Sequence, residues 1–336
     1  MNRLKVLVLV HESCVPPKGA TVKQADWAIW KTEFYVIRAL KKLGHEVRVL
    51  GVYGELDPIK WHIESHKPDI VFNLLEEFQG LPSFESHIVS FLELMGIPYT
   101  GCNPQGLSIG RDKALAKKIL NYHDIATPQF CVVRKGQKAS LNNLRFPVIV
   151  KSLVEEASMG ISQSSVVTSL EKLQERVQFI HENIQTDAII EEYVDGRELY
   201  VSVLGHNRLK VLPPWELFFG DLGEQGKAIA TWNVKFSKSY CEKHGITRGA
   251  AKLDEFTMKR ISKLCKTAYI ALKFSGYARM DIRLTSQGKI YFIEANPNAE
   301  LAKGECMANA ARHKGQSYDK LIKEILSLAL FNKKAA

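Results

Sequence analysis

Three short apolar runs, KVLVLV, EVRVLGV and DIVFNLL, follow one another in the first third of the chain, with amphipathic stretches of helical length between them. That spacing permits few folds. Runs that are apolar at nearly every position are strands buried on both faces, and strands joined through helices pair in parallel. The sequence therefore predicts a parallel sheet with helices on both sides. TEFYVIRALKKLG supplies one helix and GLPSFESHIVSFLELMG another, ended by Gly96. IPYTG then leads into RDKALAKKILNYHD, a helix predicted to begin near Gly110.

From about Thr127 the runs shorten. QFCVVRK, FPVIVKS, SQSSVVT, AIIEEYV and ELYVSVLGHNRLKVLPPWELFF read as strands, interrupted by one helix from about Leu170 to Asn183. This pattern predicts an antiparallel sheet with helices packed on one side, an α+β unit. The last third returns to a long helix, Ala250 to Lys273, then a hairpin, then helices from about Ala302 and Ser317. A chain of 336 residues has room for two or three compact domains.

Several function classes drop out. The opening MNRLKVLVLVHES has too short an apolar core for a signal peptide, and no run is long enough to cross a bilayer. The six cysteines are scattered, with no pair at zinc-ligand or redox spacing, so a reduced cytoplasmic protein is expected. The net charge of +10 invites nucleic acid, yet Lys and Arg are dispersed and no nucleic-acid signature accompanies them, so no nucleic-acid partner is expected. The pairs Lys41-Lys42, Lys117-Lys118 and Lys333-Lys334 read as solvated helix faces or a frayed tail. A basic balance equally suits phosphate-bearing or acidic small substrates.

The segment YARMDIRLTSQGKIYFIEANPN, Tyr277 to Asn298, reads as two strands joined by a turn at Gln287-Gly288. Side chains alternate along a strand, so Arg279, Asp281 and Arg283 share one face. A two-residue turn would pair Ser286 with Lys289, setting Asp281 opposite Glu294 and Arg279 opposite Asn296. Two bare carboxylates about 5 Å apart repel by roughly 3 kcal/mol at an effective dielectric of about 20, so a positive partner is expected. Oxygen-only ligation by few protein groups favours magnesium held partly by a substrate's phosphates. The alternative is a surface hairpin whose acids are neutralised by Arg279 and Arg283. A three-residue bulged turn would also slip the register and scatter these residues to both faces.

Two further segments carry chemistry. Lys151 leaves the strand FPVIVKS into a loop containing Ser158, Met159, Gly160, Ile161 and Ser162. One fixed charge beside exposed backbone N–H groups suits phosphate, although an ordinary hairpin loop reads the same way. AIIEEYVDGRELYV ends a strand in Glu191 and Glu192 and places Glu198 after a turn at Asp195-Gly196; carboxylates there suit the amino group and hydroxyls of a nucleoside, or simply a charged hairpin end.

The order of these signals is more specific than any one of them. Lys113, Lys151, SMGIS, Glu191-Glu192-Tyr193-Val194, Glu198, Lys235, Arg279-Met280-Asp281 and Glu294-Ala295-Asn296 together resemble the ATP-grasp superfamily, and IPYTG with DKALAKKIL resembles its D-alanine–D-alanine ligase group. The resemblance runs from Leu4 to Leu330. It implies a three-domain ATP-grasp fold of α/β and α+β parts: an N-terminal parallel α/β domain at 1–110, a central antiparallel unit at 111–195 and a C-terminal unit with the metal site at 196–336. It implies that Lys113 and Lys151 grip the ATP phosphates under the loop from Ser158 to Ser162. Glu191 would accept from the adenine amino group beside Glu192, the backbone of Tyr193 and Val194 would complete the adenine edge, and Glu198 would hold the ribose. Lys235 would reach the γ-phosphate. Asp281, Glu294 and Asn296 would hold magnesium, with manganese as a substitute, and Arg279 would stabilise the transferred phosphoryl group. The chemistry implied is ligation of a carboxylate to an amine through an acyl phosphate, with no nucleophilic side chain, in keeping with the lack of a Ser/His/Asp or Cys/His arrangement. Two lids are expected, the SMGIS loop and Gly220 to Lys238, with Gly220 to Lys227 mobile in the absence of nucleotide. The group commonly forms homodimers through its N-terminal domain.

The resemblance departs at the amino-acid pockets. VHESCVPPKGATVKQADW stands where the group has a glycine pair and an early glutamate, leaving Glu12, Asp26 and Glu33 as alternatives for that acid. LLEEFQGLPSFES and PNAELAKGE replace two further signatures. Lys18, Lys303 and Arg312 in or near these segments point to an acidic or larger carboxylate substrate. An ATP-grasp kinase of a hydroxyl substrate and a nucleotide-binding module without turnover remain alternatives.

Overall fold

The computed structural model describes residues 2–141, 143–155, 158–224 and 228–332. In the first third, β1 (Lys5–His11), α1 (Val22–Ala25), α2 (Lys31–Lys42), β2 (Glu46–Val52), α3 (Asp57–His66), β3 (Ile70–Asn73) and α4 (Glu85–Leu94) build a parallel sheet of order β2-β1-β3. Strand β1 shows why its run is apolar throughout. Val6, Val8 and Val10 pack on the α2 side, while Leu7 and Leu9 pack with Ile59 of α3 and Ile88 and Leu92 of α4. Helices thus cover both faces, as the spacing predicts.

Two helices follow where the sequence suggests one. Helix α5 (Pro104–Arg111) contains Gly110 in its last turn, and α6 (Lys113–Tyr122) starts afresh after Asp112. Asp112 has extended backbone (φ −83°, ψ 99°) and its carboxylate accepts the Leu115 N–H at 2.9 Å, the hydrogen bond of a helix N-cap. The expected start near Gly110 is therefore corrected to Lys113.

The second sheet joins β4 (Phe130–Val133), β5 (Val148–Ser152), β6 (Val166–Val167) and β7 (Ala188–Glu192), all antiparallel, in the order β4-β7-β5-β6. Helix α7 (Leu170–Phe179) covers it, with Leu173 and Val177 packed among Val148, Val150 and Ile190.

The third sheet comprises β8 (Arg197–Leu204), β9 (Lys210–Val211), β10 (Trp215–Phe218), β11 (Thr247–Ala250), β12 (Tyr277–Leu284) and β13 (Ile290–Pro297). Its main order is β11-β10-β8-β12-β13, with β9 pairing β8. The short helices α8 (Asp221–Glu224), α9 (Trp232–Phe236) and α10 (Lys238–Lys243) lie between β10 and β11; α11 (Glu255–Ala271), α12 (Cys306–His313) and α13 (Tyr318–Asn332) complete the fold. The long helix begins at Glu255, capped by Asp254, rather than at Ala250, because 247–250 pair with β10 as a strand. Leu199, Val201 and Val203 of β8 and Ala278, Met280 and Ile282 of β12 bury one face against α11 and α6. Their neighbours in the alternation, Glu198, Tyr200, Arg279, Asp281 and Arg283, therefore share the other face. Helix α13 returns to the first sheet, where Leu321, Ile322 and Ile325 join Val6, Val8 and Val10 in one core.

Among the described residues no helix is long and apolar enough to cross a membrane.

Candidate active site

The hairpin β12–β13 pairs Arg279 with Asn296 and Asp281 with Glu294, as predicted, but by a different route. The turn has three residues, not two. Thr285 N–H donates to Lys289 O and Gly288 N–H to Thr285 O, both at 2.9 Å, with Gly288 at φ +78°. That alone slips the register by one. A bulge restores it: Asp281 faces Glu294 whereas Ile282 faces Phe292, leaving Ile293 unpaired. The freed Ile293 carbonyl accepts from Lys117 Nζ at 2.7 Å.

On the charged face, Arg279 grips Asp281 through both oxygens, Nε–Oδ1 at 2.7 Å and Nη2–Oδ2 at 2.9 Å, and stacks over Tyr200 at 4.9 Å. Burial nevertheless pushes the Asp281 carboxyl up despite Arg279. Glu294 Oε1 lies 3.1 Å from Lys113 Nζ, which also donates to Glu155 O at 2.6 Å. Burial would raise the Glu294 carboxyl, but Lys113, Lys235 and Lys151 outweigh it and hold the group at about 2. Lys235, on α9, feels burial and Arg279 pushing its ammonium down, opposed by Glu294, Asp281 and Glu198. The structure thus brings Lys113, Lys151, Lys235, Arg279, Asp281 and Glu294 within one electrostatic cluster.

Glu191 needs a correction. It sits inside the second sheet, paired with Phe130 and Ile149, and is 1% exposed. Its Oε2 lies 3.0 Å from Lys151 Nζ and its Oε1 3.4 Å from Lys117 Nζ, so it is not an open acceptor for adenine. Lys117, expected on a solvated helix face, is 2% exposed. It lies one turn beyond Lys113, on the same side of α6, and this i, i+4 spacing is the signal that could have found it. Glu192 accepts the Arg145 N–H at 3.0 Å, and the Tyr193 N–H donates to Pro147 O at 2.9 Å. Val194 lies just past the end of β7.

Glu198 is held by Arg283 Nη2 at 2.6 Å and by the Tyr200 hydroxyl at 2.8 Å. Arg283 also donates to Ala228 O at 2.6 Å, which Tyr193 OH reaches at 3.1 Å. The two expected lids touch. Ser158 Oγ donates to Ala230 O at 2.7 Å and Trp232 N–H to Ile161 O at 3.4 Å, while the Gly160 carbonyl accepts from Arg176. Met159 is half-exposed, and Ser162 is backed by Ser165, whose Oγ accepts its N–H at 3.0 Å. Of Gly220 to Lys227, expected to be mobile, Asp221–Glu224 form α8 and 225–227 lie outside the described residues.

Comparison with known proteins bears on this geometry. Residues 119–327 match the family model described as D-ala D-ala ligase C-terminus. D-alanine–D-alanine ligase of Aquifex aeolicus is 31% identical over 88% of this chain and 94% of its own. The chain belongs to the D-alanine–D-alanine ligase family. As a member it is an ATP-dependent, ADP-forming ligase of carboxylate to amine. An uncharacterized protein of Sinorhizobium fredii, y4sG, is 32% identical over 88% of this chain and 86% of its own. The crystal structure of the Bacillus anthracis D-alanine–D-alanine ligase complexed with ATP shares the fold, with a TM-score of 0.75 at 22% identity, covering 98% of this chain and 99% of that one.

Family membership raises the question of a metal. Among the described residues no group of three or more His, Cys, Asp and Glu converges as a metal cage. The expected set is different in kind, two carboxylates and an amide. Asp281 and Glu294 face each other across adjacent strands, and the neighbouring Asn296 has a buried Nδ2 without a hydrogen-bond partner among the described residues. Hard oxygens, few in number and balanced by lysines, fit a magnesium ion that takes its remaining ligands from phosphates and water.

The segments whose sequence departs from the resemblance carry, in or near them, Lys18, Lys303, Arg312 and the three candidate acids. Lys18 and Arg312 are exposed, and exposed Lys303 lies over the Tyr35 ring at 5.9 Å. Tyr35 OH donates to Asp26 at 2.5 Å. Glu12 is exposed, whereas Glu33, in the first turn of α2, is 7% exposed.

Proposed function

We propose that the protein uses ATP and magnesium to join the carboxylate of an amino acid or short peptide to an amine through an acyl phosphate. The observation that carries this reading is the single face of β8, β12 and β13 on which Arg279, Asp281 and Glu294 meet Lys113 and Lys235. Lys113 and Lys151 would hold the phosphates, with Ser158 to Ser162 and the segment around Ala230 closing above them. With its N–H engaged by Pro147, Tyr193 would offer its carbonyl, and Val194 its N–H, to the adenine edge. Glu191 orients Lys117 and Lys151, and Glu198, fixed by Arg283 and Tyr200, would accept from the ribose.

Magnesium, held by Asp281, Glu294 and Asn296, would supply neutralisation of phosphate charge; manganese is the expected substitute. A substrate carboxylate oxygen forms a bond to the γ-phosphorus as the bond to ADP breaks, with Lys235 and Arg279 countering the charge on the moving phosphoryl group. The amine then attacks the acyl carbon, phosphate leaves, and the amine loses its proton. The groups that grip charge are fixed before reaction, so catalysis is positioning and electrostatics.

The Aquifex aeolicus and Bacillus anthracis proteins are named for D-alanine. Here D-alanine is one candidate among amino acids, because the segments around Glu12 to Glu33 and 298–305 differ from the family's pattern. We further propose the division 1–110, 111–195 and 196–336, a cytoplasmic location in keeping with six free cysteines, small-molecule partners only, and a homodimer. The test is phosphate release with ATP and magnesium across amino acids and dipeptides, singly and in pairs, with product masses. A pair-dependent product equal to both substrates less water is expected. A single hydroxyl substrate that gains a phosphoryl group would replace ligation with kinase chemistry.

A further inference from the structure

The strand that carries Glu294 and Asn296 does not end freely. Its last residue, Pro297, lies against Gly110 of α5, where a Cβ would come within 2.8 Å of Pro297 Cδ. The next residue, Asn298, has φ +53°, a left-handed backbone that most side chains adopt only at a cost of about 1–2 kcal/mol and that Gly, Asn and Asp tolerate best. Its N–H still continues the pairing with β12, donating to Tyr277 O at 3.2 Å.

Both ends of the Asn298 amide are engaged. Oδ1 accepts the Cys102 N–H at 2.7 Å, and Nδ2 donates to Glu85 Oε1 at 2.9 Å. Glu85, in the first turn of α4, is 6% exposed, and its other oxygen lies 3.0 Å from Arg111 Nη2 of α5. Gly101 permits the approach, because a Cβ there would overlap Asn298 Oδ1. Of the three residue types that favour this backbone, only asparagine offers an acceptor and a donor together. Asn298 thus ties the end of β13 to α4 and α5, two residues beyond Asn296. Asn296 Nδ2 is buried and makes no hydrogen bond among the described residues, so that end of its amide is aimed by the backbone on which it stands.

We propose that Asn298 is a positioning residue for the ligase: anchored by Cys102 and Glu85, it fixes the backbone that presents Asn296 to magnesium. This rests on the metal reading above and names a residue that touches neither metal nor substrate. Residues that orient a metal's ligands govern its affinity although they do not bind it.

The experiment compares full-length variants. Asn298→Gly keeps the backbone conformation and removes both side-chain bonds. Asn103→Ala is the control, since Asn103 docks the same segment, its Nδ2 donating to Lys273 O at 2.7 Å and its Oδ1 accepting the Gly106 N–H at 2.8 Å, with no bond to β13 among the described residues. Two readouts are taken: manganese affinity in the presence of a non-hydrolysable ATP analogue, from the paramagnetic signal of the free ion, and amide hydrogen exchange across 290–298 without metal or nucleotide. Asn298→Gly should weaken manganese binding about tenfold and speed exchange in β13, with metal-free affinity for the analogue unchanged. Asn298→Asp, which sets a second carboxylate against Glu85, should do at least as much. Adding Glu85→Gln, which offers the new carboxylate an amide donor, should recover most of the loss. Asn103→Ala should leave manganese affinity as it is. Equal manganese loss in Asn298→Gly and Asn103→Ala, faster exchange with unchanged manganese affinity, or no recovery in the double variant would overturn the proposal. A wild type that joins no pair of substrates would refute ligation without altering these binding and exchange results.

Discussion

Replacing Lys117 with methionine isolates a residue that the site depends on without placing it against substrate. The side chain is nearly isosteric, so the change removes charge and donors rather than volume. Two partners lose a cation: Glu191, 3.4 Å away, and the bulge carbonyl of Ile293, 2.7 Å away. Breaking a buried pair so that one charge is left uncompensated costs about 3–5 kcal/mol. Lys151 stays beside Glu191 at 3.0 Å, which places the ionic part at the low end, and the orphaned carbonyl adds to it. A loss of about 3 kcal/mol is expected, or a fall of about 6 °C in thermal midpoint. Lys118 is the matched control, since it is exposed on the next helix position and its change to methionine should stay within about 0.5 kcal/mol. Because the bulge sets Glu294 opposite Asp281, Lys117→Met should also weaken manganese binding, read by the paramagnetic signal of the free ion, and Lys117→Arg should restore part of it. Equal midpoints for the Lys117 and Lys118 variants would refute this reasoning.

Other expectations are simpler. Gly288→Ala meets no atom within 4 Å, so its cost is the φ of +78° alone, about 1 kcal/mol by urea unfolding. Glu294 has its folded value held at about 2, below its ordinary value of 4.5, so its contribution is present above about pH 4.5 and is lost as pH falls through about 2; Glu294→Gln should flatten the stability curve in that window and abolish metal-dependent turnover. Glu33 runs the other way: burial, then repulsion from Glu300, raises it to about 7, so the protein loses stability as pH rises from about 4.5 through 7, and Glu33→Gln should be more stable than wild type above that range in thermal melts.

Much of the fold is legible in sequence because burial on one or both faces leaves a period. The runs around Val6 and Val71 are apolar at successive positions and are sheathed on both sides, whereas the edge strand around Val49 is half-buried and admits Arg48; β8 and β12 alternate because one face meets α11 and the other the site. What is harder to read has no period. Strand β11, Thr247 to Ala250, carries no apolar alternation and pairs only at an edge. The bulge at Ile293 lies in the unbroken run Ile290-Tyr291-Phe292-Ile293, which carries no mark of it, and the hairpin's facing pairs emerge correctly only because the bulge cancels the slip of a turn one residue longer than two. The break between α5 and α6 is written in Asp112, a capping residue placed just before a helical run. Glu191 illustrates a different limit. Its position at a strand end is legible, but the two lysines that enclose it come from α6 and β5, and only tertiary structure brings them together.

Helix α13 closes the core that β1 opens, and this imposes an order on synthesis. As the polypeptide emerges, β1, β2 and β3 can pair early, yet on the side bearing Val6, Val8 and Val10 helix α2 gives a partial cover that Leu321, Ile322 and Ile325 complete only when the last third of the chain arrives. The nascent protein therefore carries a sticky, half-dressed sheet through most of its translation, and a polypeptide ended before Tyr318 should bind apolar dyes and aggregate even with every residue of the nucleotide site in place.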